Sequence, residues 1–205
     1  MHLNIEFDGK LFTASGEPEV DLSIPIAEQG GPSAWYVDNM KVEVVRSNGF
    51  LGSVAEGGSV NFRNVTFNPH GNGTHTECLG HISPEADSVE AIAIPSVLPC
   101  LLISIKPEHI NGDEVITLDQ MRAACALHWG DANQLPPAVV VRTLPHDARK
   151  TSRNWSNTNP AYFTSEVAAW LADVEVNHWL IDLPSVDRES DGGALAAHHA
   201  YWRYP

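Results

Sequence analysis

Basic side chains are scarce: 12 Lys and Arg stand against 26 Asp and Glu, giving a formal net charge of −14, and no stretch of the chain gathers them into a run. Nucleic acid and anionic membrane surfaces both need such a cationic footprint, so neither is an expected partner. Cysteine is rare as well. The three, Cys78, Cys100 and Cys125, are odd in number, widely spaced and without a CxxC pair, which fits a reducing, cytoplasmic setting. Long apolar runs are missing, so no segment reaches membrane-spanning length. The opening MHLNIEFDGK also lacks the basic-then-apolar order of a signal peptide. No G-x-S-x-G segment occurs, which weakens a Ser-His-Asp hydrolase. Repeats and low-complexity tracts are absent. The acidic excess itself says little about substrate, because a negative solvated surface is its usual cause.

What is there reads as one globular domain over residues 1–205, with 43% hydrophobic and 19% charged residues. LNIEFDG and KLFTAS alternate apolar and polar residues about Asp8-Gly9, the signal of an N-terminal β-hairpin. A loop follows at Gly16-Glu17-Pro18. VDLSIPI (20–26) reads as a strand, Gly30-Gly31-Pro32 leads into an aromatic patch at Trp35 and Tyr36, and KVEVVRS and SVNFRNVTFN alternate like further strands. VLPCLLISI suits a buried strand and Asn111-Gly112-Asp113 a polar turn. Leu118 to Leu127 has helical spacing, with Thr117 or Asp119 as its start signal. AVVVRT is β-branched enough for a central strand, and TSRNWSNTNP is a loop. Thr164-Ser165-Glu166 opens a helix through Val167, Leu171 and Val174, and HWLIDL is another buried strand. Strand and helix signals alternate in the second half, so the class is mixed α/β with a β-rich beginning.

The segment from His70 to His81, HGNGTHTECLGH, places three histidines and one carboxylate in twelve residues. Imidazole nitrogen and carboxylate oxygen are the ligands that borderline divalent ions accept, and intervening glycines let backbone pass close to an ion. If Gly73 to Glu77 is extended, His75 and Glu77 share one face while Thr76 turns away. A turn or helix beginning near Cys78 brings His81, four residues beyond Glu77, back over the same site, close enough to handle protons. Ten histidines make some clustering expected, but four candidate groups in this span favour a site over chance. Cys78 reads as a buried small hydrophobe rather than a soft ligand. His128-Trp129-Gly130 and His146 read as loop residues, and His2, His109 and His178 have no motif around them.

Together these pieces resemble the cyclase family of metal-dependent hydrolases, which includes bacterial kynurenine formamidase and isatin hydrolase. The hallmark of that family is a His-x-Gly-Thr-His-x-Asp-x-Pro-x-His segment. Gly73-Thr74-His75, Glu77 and His81 occupy its spacing, with Glu for Asp and Leu79 for Pro. VDLSIPI is similar to the family's early Asp-Leu-Ser segment, VVVRT (139–143) to its central strand, IDLPSVD (181–187) to its Pro-Ser-x-Asp segment, and Ala197-His198-His199 to its later histidine pair.

The resemblance implies a swivelling β/α fold: a mixed β-sheet or barrel-like core with flanking helices and the N-terminal hairpin. It implies one or two divalent ions, zinc or manganese, held by His75, Glu77 and His198, with His81 as general acid/base. The family's first histidine falls on Gly71, and a local bulge there would restore His70 as a ligand. Glu77 reaches roughly 1.5 Å farther than aspartate. His199 is structural in this reading. Ser185 and Asp187 form either a hydrogen-bonded turn after Pro184 or a support for the ligands. Trp35 and Tyr36 either pack on an aromatic substrate ring or belong to the core.

The implied reaction is hydrolysis of the carbon–nitrogen bond of a small amide, an aryl formamide such as N-formylkynurenine in tryptophan catabolism. Ring opening of a cyclic amide or lactone is the second enzymatic reading, and a metal- or ligand-binding protein without turnover is the rival from another class. Assembly as a homodimer or homotetramer is implied as well. The family carries a late glutamate on a closing strand, whereas no glutamate follows Glu189 here. The expectation is therefore a carboxy-terminally shortened chain lacking its last strands.

Overall fold

A computed structural model describes residues 2–15, 20–85 and 88–205. The loop expected at Gly16-Glu17-Pro18 lies outside the described residues. In chain order the strands and helices are β1 (His2–Phe7), β2 (Lys10–Ser15), β3 (Lys41–Val44), β4 (Arg46–Ser47), β5 (Phe50–Leu51), β6 (Arg63–Thr66) and α1 (Pro69–Asn72). They continue as β7 (Cys100–Ile105), β8 (Glu108–Ile110), β9 (Asp113–Ile116), α2 (Leu118–Trp129), β10 (Ala138–Thr143), β11 (Tyr162–Phe163), α3 (Ser165–Asp173), β12 (His178–Ile181) and α4 (Ala196–Trp202). The chain divides into two compact units, one of Met1–Asp21, Thr76–Asp147 and Asn157–Pro205, the other of Leu22–His75 and Ala148–Ser156.

In the first unit β10 lies between β7 and β12, all three parallel, so AVVVRT is the central strand its β-branched composition predicts. Parallel neighbours need crossover connections, and α2 and α3 lie within the two crossovers. Leu101, Ile103 and Ile105 of β7 and Val139 and Val141 of β10 alternate onto one sheet face. There they form the core with Met121 and Cys125 of α2 and Val167, Trp170 and Leu171 of α3. Burial among these side chains pushes the Cys125 thiol up to about 11, so it behaves as a small hydrophobe.

Thr117, not Asp119, starts α2. Its hydroxyl accepts from Gln120 N while the Gln120 side chain accepts from Thr117 N, a reciprocal capping box. The helix runs on through His128 and Trp129, which were expected in a loop, and stops where Gly130 turns to φ 101°. The β1-β2 hairpin turns on left-handed Asp8 and Gly9, as expected, and Phe12 stacks on Trp129 at 5.9 Å. Asn111 and Gly112 take the same left-handed turn between β8 and β9, and β11 adds in parallel to β9.

In the second unit β3 pairs antiparallel with β6, from Lys41 opposite Thr66 to Val44 opposite Arg63, and β4 pairs with β5. VDLSIPI forms no strand. Val20 and Leu22 are 77% and 59% exposed, Pro25 has no N–H to give a ladder, and Ile24 N donates instead to Thr74 Oγ1 at 2.9 Å. The barrel-like alternative is also corrected: among the described residues the strands form separate sheets of two or three, and none closes on itself. Among them, too, no helix is long and apolar enough to cross a membrane.

Candidate metal centre

Glu77 lies on irregular backbone just before a one-turn 3₁₀ helix at Leu79–His81 that begins from extended Cys78. The turn is closed by His81 N donating to Cys78 O at 2.9 Å and Ser83 N to Leu79 O at 3.0 Å. It carries His81 back so that its Nε2 stands 3.6 Å from Glu77 Oε1. The other carboxylate oxygen faces α4, where His198 Nε2 is 3.3 Å from Glu77 Oε2. Ligand atoms of Glu77, His81 and His198 lie within 4.8 Å of one another, a span that one divalent ion can bridge.

His198 is 6% exposed, and its second ring nitrogen is already committed: Nδ1 lies 2.5 Å from Asp187 Oδ2. Asp187, 8% exposed, also accepts from Ala197 N at 2.7 Å and His198 N at 3.1 Å, while its own N–H donates to Ser185 Oγ at 3.1 Å. The hydrogen-bonded turn left open for Ser185 and Asp187 is therefore present, and the Asp187 carboxylate also meets the His198 ring. Burial opposes the His198 imidazolium, but hydrogen bonds to Asp187 and Glu77 outweigh it and push the ring up to about 9. Burial likewise opposes the Asp187 carboxylate. The hydrogen bond from His198 and those from two backbone N–H groups win, holding it below the usual aspartate range.

Two aromatic neighbours complete this side of the site. Trp202, one turn beyond His198 on α4, sets its ring 5.3 Å from the imidazole, and the His81 ring is 5.4 Å from His198 on another side. The i, i+4 spacing of His198 and Trp202 is the signal by which the sequence could have revealed this wall. His199 Nδ1 instead donates to Tyr204 O at 3.0 Å, a hydrogen bond near the chain end. Cys78 is half-buried and not disulfide-bonded.

The second unit holds His70 and His75. Asn68 Oδ1 accepts from His70 N and Gly71 N at 3.0 and 3.3 Å and starts the single turn of α1. This helical turn replaces the bulge expected at Gly71, and it packs the His70 and His75 rings edge to face at 4.7 Å. Glycine is required at 71 by close approach: a Cβ there would lie 2.3 Å from Val37 Cγ2 and 2.9 Å from Ala34 O. His75 Nδ1 lies 3.0 Å from Gly73 O. A carbonyl only accepts, so Nδ1 is the donor in this contact. Trp35 and Tyr36 both take left-handed backbone, Trp35 half-buried and Tyr36 68% exposed, so Tyr36 is not a core residue.

A family model described as "Putative cyclase" matches residues 20–188. The chain belongs to the cyclase family. No curated protein matches it. Membership points to an enzyme, and the matched segment of this cyclase-family chain contains Glu77, His81 and Asp187. It ends before His198, so the approach of His198 to Glu77 is an observation independent of the match. The donor set suits a divalent cation: a carboxylate between two imidazoles, one of which has its far nitrogen held by a buried acceptor.

Proposed function

We propose that this cyclase-family chain hydrolyses the carbon–nitrogen bond of an aryl formamide at a divalent ion held by Glu77 and His198. His70 and His75, whose rings meet at 4.7 Å in the second unit, are candidate donors by the family resemblance. The observation that carries it is the orientation of His198, whose Nδ1 is tied to Asp187 while Nε2 faces Glu77. Bound zinc or manganese supplies a Lewis acid for the carbonyl and lowers the pKa of water toward ~7.

His81 is the proton carrier. It sits beside Glu77 with 31% of its side chain exposed, so it can exchange protons with solvent. The water oxygen joins the formyl carbon as His81 takes a proton, and the carbon–nitrogen bond then breaks as His81 returns that proton to the leaving nitrogen. Formic acid, which releases its proton to solvent as formate, and a free aryl amine result. Trp202 offers an apolar face beside His198 for the aryl ring.

Exhaustive chelation is expected to abolish turnover of N-formylkynurenine, and added zinc or manganese to restore it. Full turnover by protein shown metal-free by elemental analysis would overturn the mechanism. Isatin and lactones assayed in parallel assign the substrate, and stoichiometric metal with no turnover on any of them would make the chain a binding member of the family. Trp202→Ala is expected to raise KM for the aryl formamide roughly 2- to 10-fold, the worth of one aromatic contact, with a smaller change in kcat. An equal rise with an aliphatic formamide would count against an aryl-binding role.

A further inference from the structure

We infer that Asp187 is the positioning residue of this centre, holding His198 in the one orientation that presents Nε2 to Glu77. The inference rests on the reading of Glu77 and His198 as metal ligands. One carboxylate sets both the backbone and the ring: Oδ1 accepts from Ala197 N, and Oδ2 accepts from His198 N and from His198 Nδ1. A helix cap needs only the two backbone contacts. The third, at 2.5 Å between groups that are both more than nine-tenths buried, selects the tautomer. An ionised carboxylate can only accept, so Nδ1 keeps its proton, and Nε2 is the nitrogen whose proton a metal would displace.

The residues after Asp187 keep it from swinging away. Arg188 grips Asp113 of β9 with two nitrogens, at 2.9 and 3.2 Å, and Asp113 also accepts from Asn159 Nδ2 and Tyr162 Oη. Glu189 accepts from the backbone N–H groups of Asn157 and Asn159 at 2.5 and 2.7 Å. Residues 187–189 are thus tied to α4, to β9 and to the 157–159 loop. The hydrogen bond from Phe163 N to Val186 O, 3.0 Å long, adds β11 as a fourth anchor.

The test is zinc affinity of the full chain, read by competition with a chromophoric chelator, for wild type, Asp187→Asn and His198→Ala. Asparagine keeps the size but can turn its NH₂ toward Nδ1, which moves the ring proton to Nε2. The expected result is about 10- to 100-fold weaker zinc binding by Asp187→Asn, at a melting temperature near that of wild type. Wild-type affinity in Asp187→Asn, with binding lost in His198→Ala, would overturn the inference and leave the metal site standing. Undiminished zinc binding in both variants would overturn the assignment of His198 as a ligand, and this inference with it. Should Asp187→Asn not fold, nitrogen–proton correlation spectra of the zinc-loaded wild type decide. A His198 ring protonated at Nδ1 with Nε2 shifted by zinc supports the inference, and protonation at Nε2 overturns it.

Discussion

Glu77→Gln is expected to weaken zinc binding by more than about 100-fold, beyond what loss of a supporting partner costs a metal site, and to reduce formamide turnover at least as far. The carboxylate stands between two imidazoles, 3.3 Å from His198 Nε2 and 3.6 Å from His81 Nε2, with one oxygen toward each. Glutamine preserves its length and shape. It removes the negative charge and replaces one acceptor by an NH₂ donor, which a cation repels and which competes for an imidazole lone pair. Affinity and turnover are therefore expected to fall together, whereas His81→Ala, which removes the proposed proton carrier, is expected to lower turnover while leaving more of the affinity. Unchanged zinc affinity in Glu77→Gln, measured by chelator competition, would remove Glu77 from the centre.

Phe163→Ala is expected to cost about 3–5 kcal/mol of stability, as loss of a buried aromatic does, lowering the melting temperature of a chain this size by roughly 10 °C. Phe163 is 2% exposed and meets Trp179 of β12 edge to face at 4.7 Å, within the core formed by the parallel sheet, α2 and α3. The surrounding elements are held by their own ladders and cannot close on the gap, so the cavity term adds to the lost transfer energy. The same residue anchors the chain at Val186, one position before Asp187. Zinc affinity in Phe163→Ala should fall as well, by less than in Asp187→Asn. Calorimetry showing a loss under about 1 kcal/mol would mean that this core is looser than its packing indicates.

Elements whose shape is set by neighbours in sequence were legible. Asp8-Gly9 declares a hairpin because those two residues tolerate left-handed backbone, Thr117 with Gln120 declares a helix start, and AVVVRT declares a buried strand by its β-branched run. The same reasoning misled at 20–26. Alternation there has the strand period, but the residues other than half-buried Ile24 are exposed, Pro25 interrupts any ladder, and no strand among the described residues pairs with them. Period alone records which side chains could share a face, not whether a second strand is there to pair with them. Gly71 is a similar case: glycine was read as freedom to bulge, whereas the close approach of Val37 and Ala34, more than thirty residues earlier in the chain, is what demands it.

For the site, the sequence by itself determined the return of His81 over Glu77, because four residues and one turn suffice to bring those two groups together. The family resemblance implied His198, 121 residues away, as a partner of Glu77, but only the tertiary structure decided that it presents Nε2 to that carboxylate and that buried Asp187 holds its other nitrogen. No local pattern encodes that meeting. It follows from α4 being capped by the segment that leaves β12, so that the position of His198 is the sum of packing across the whole unit rather than a property of the residues beside it.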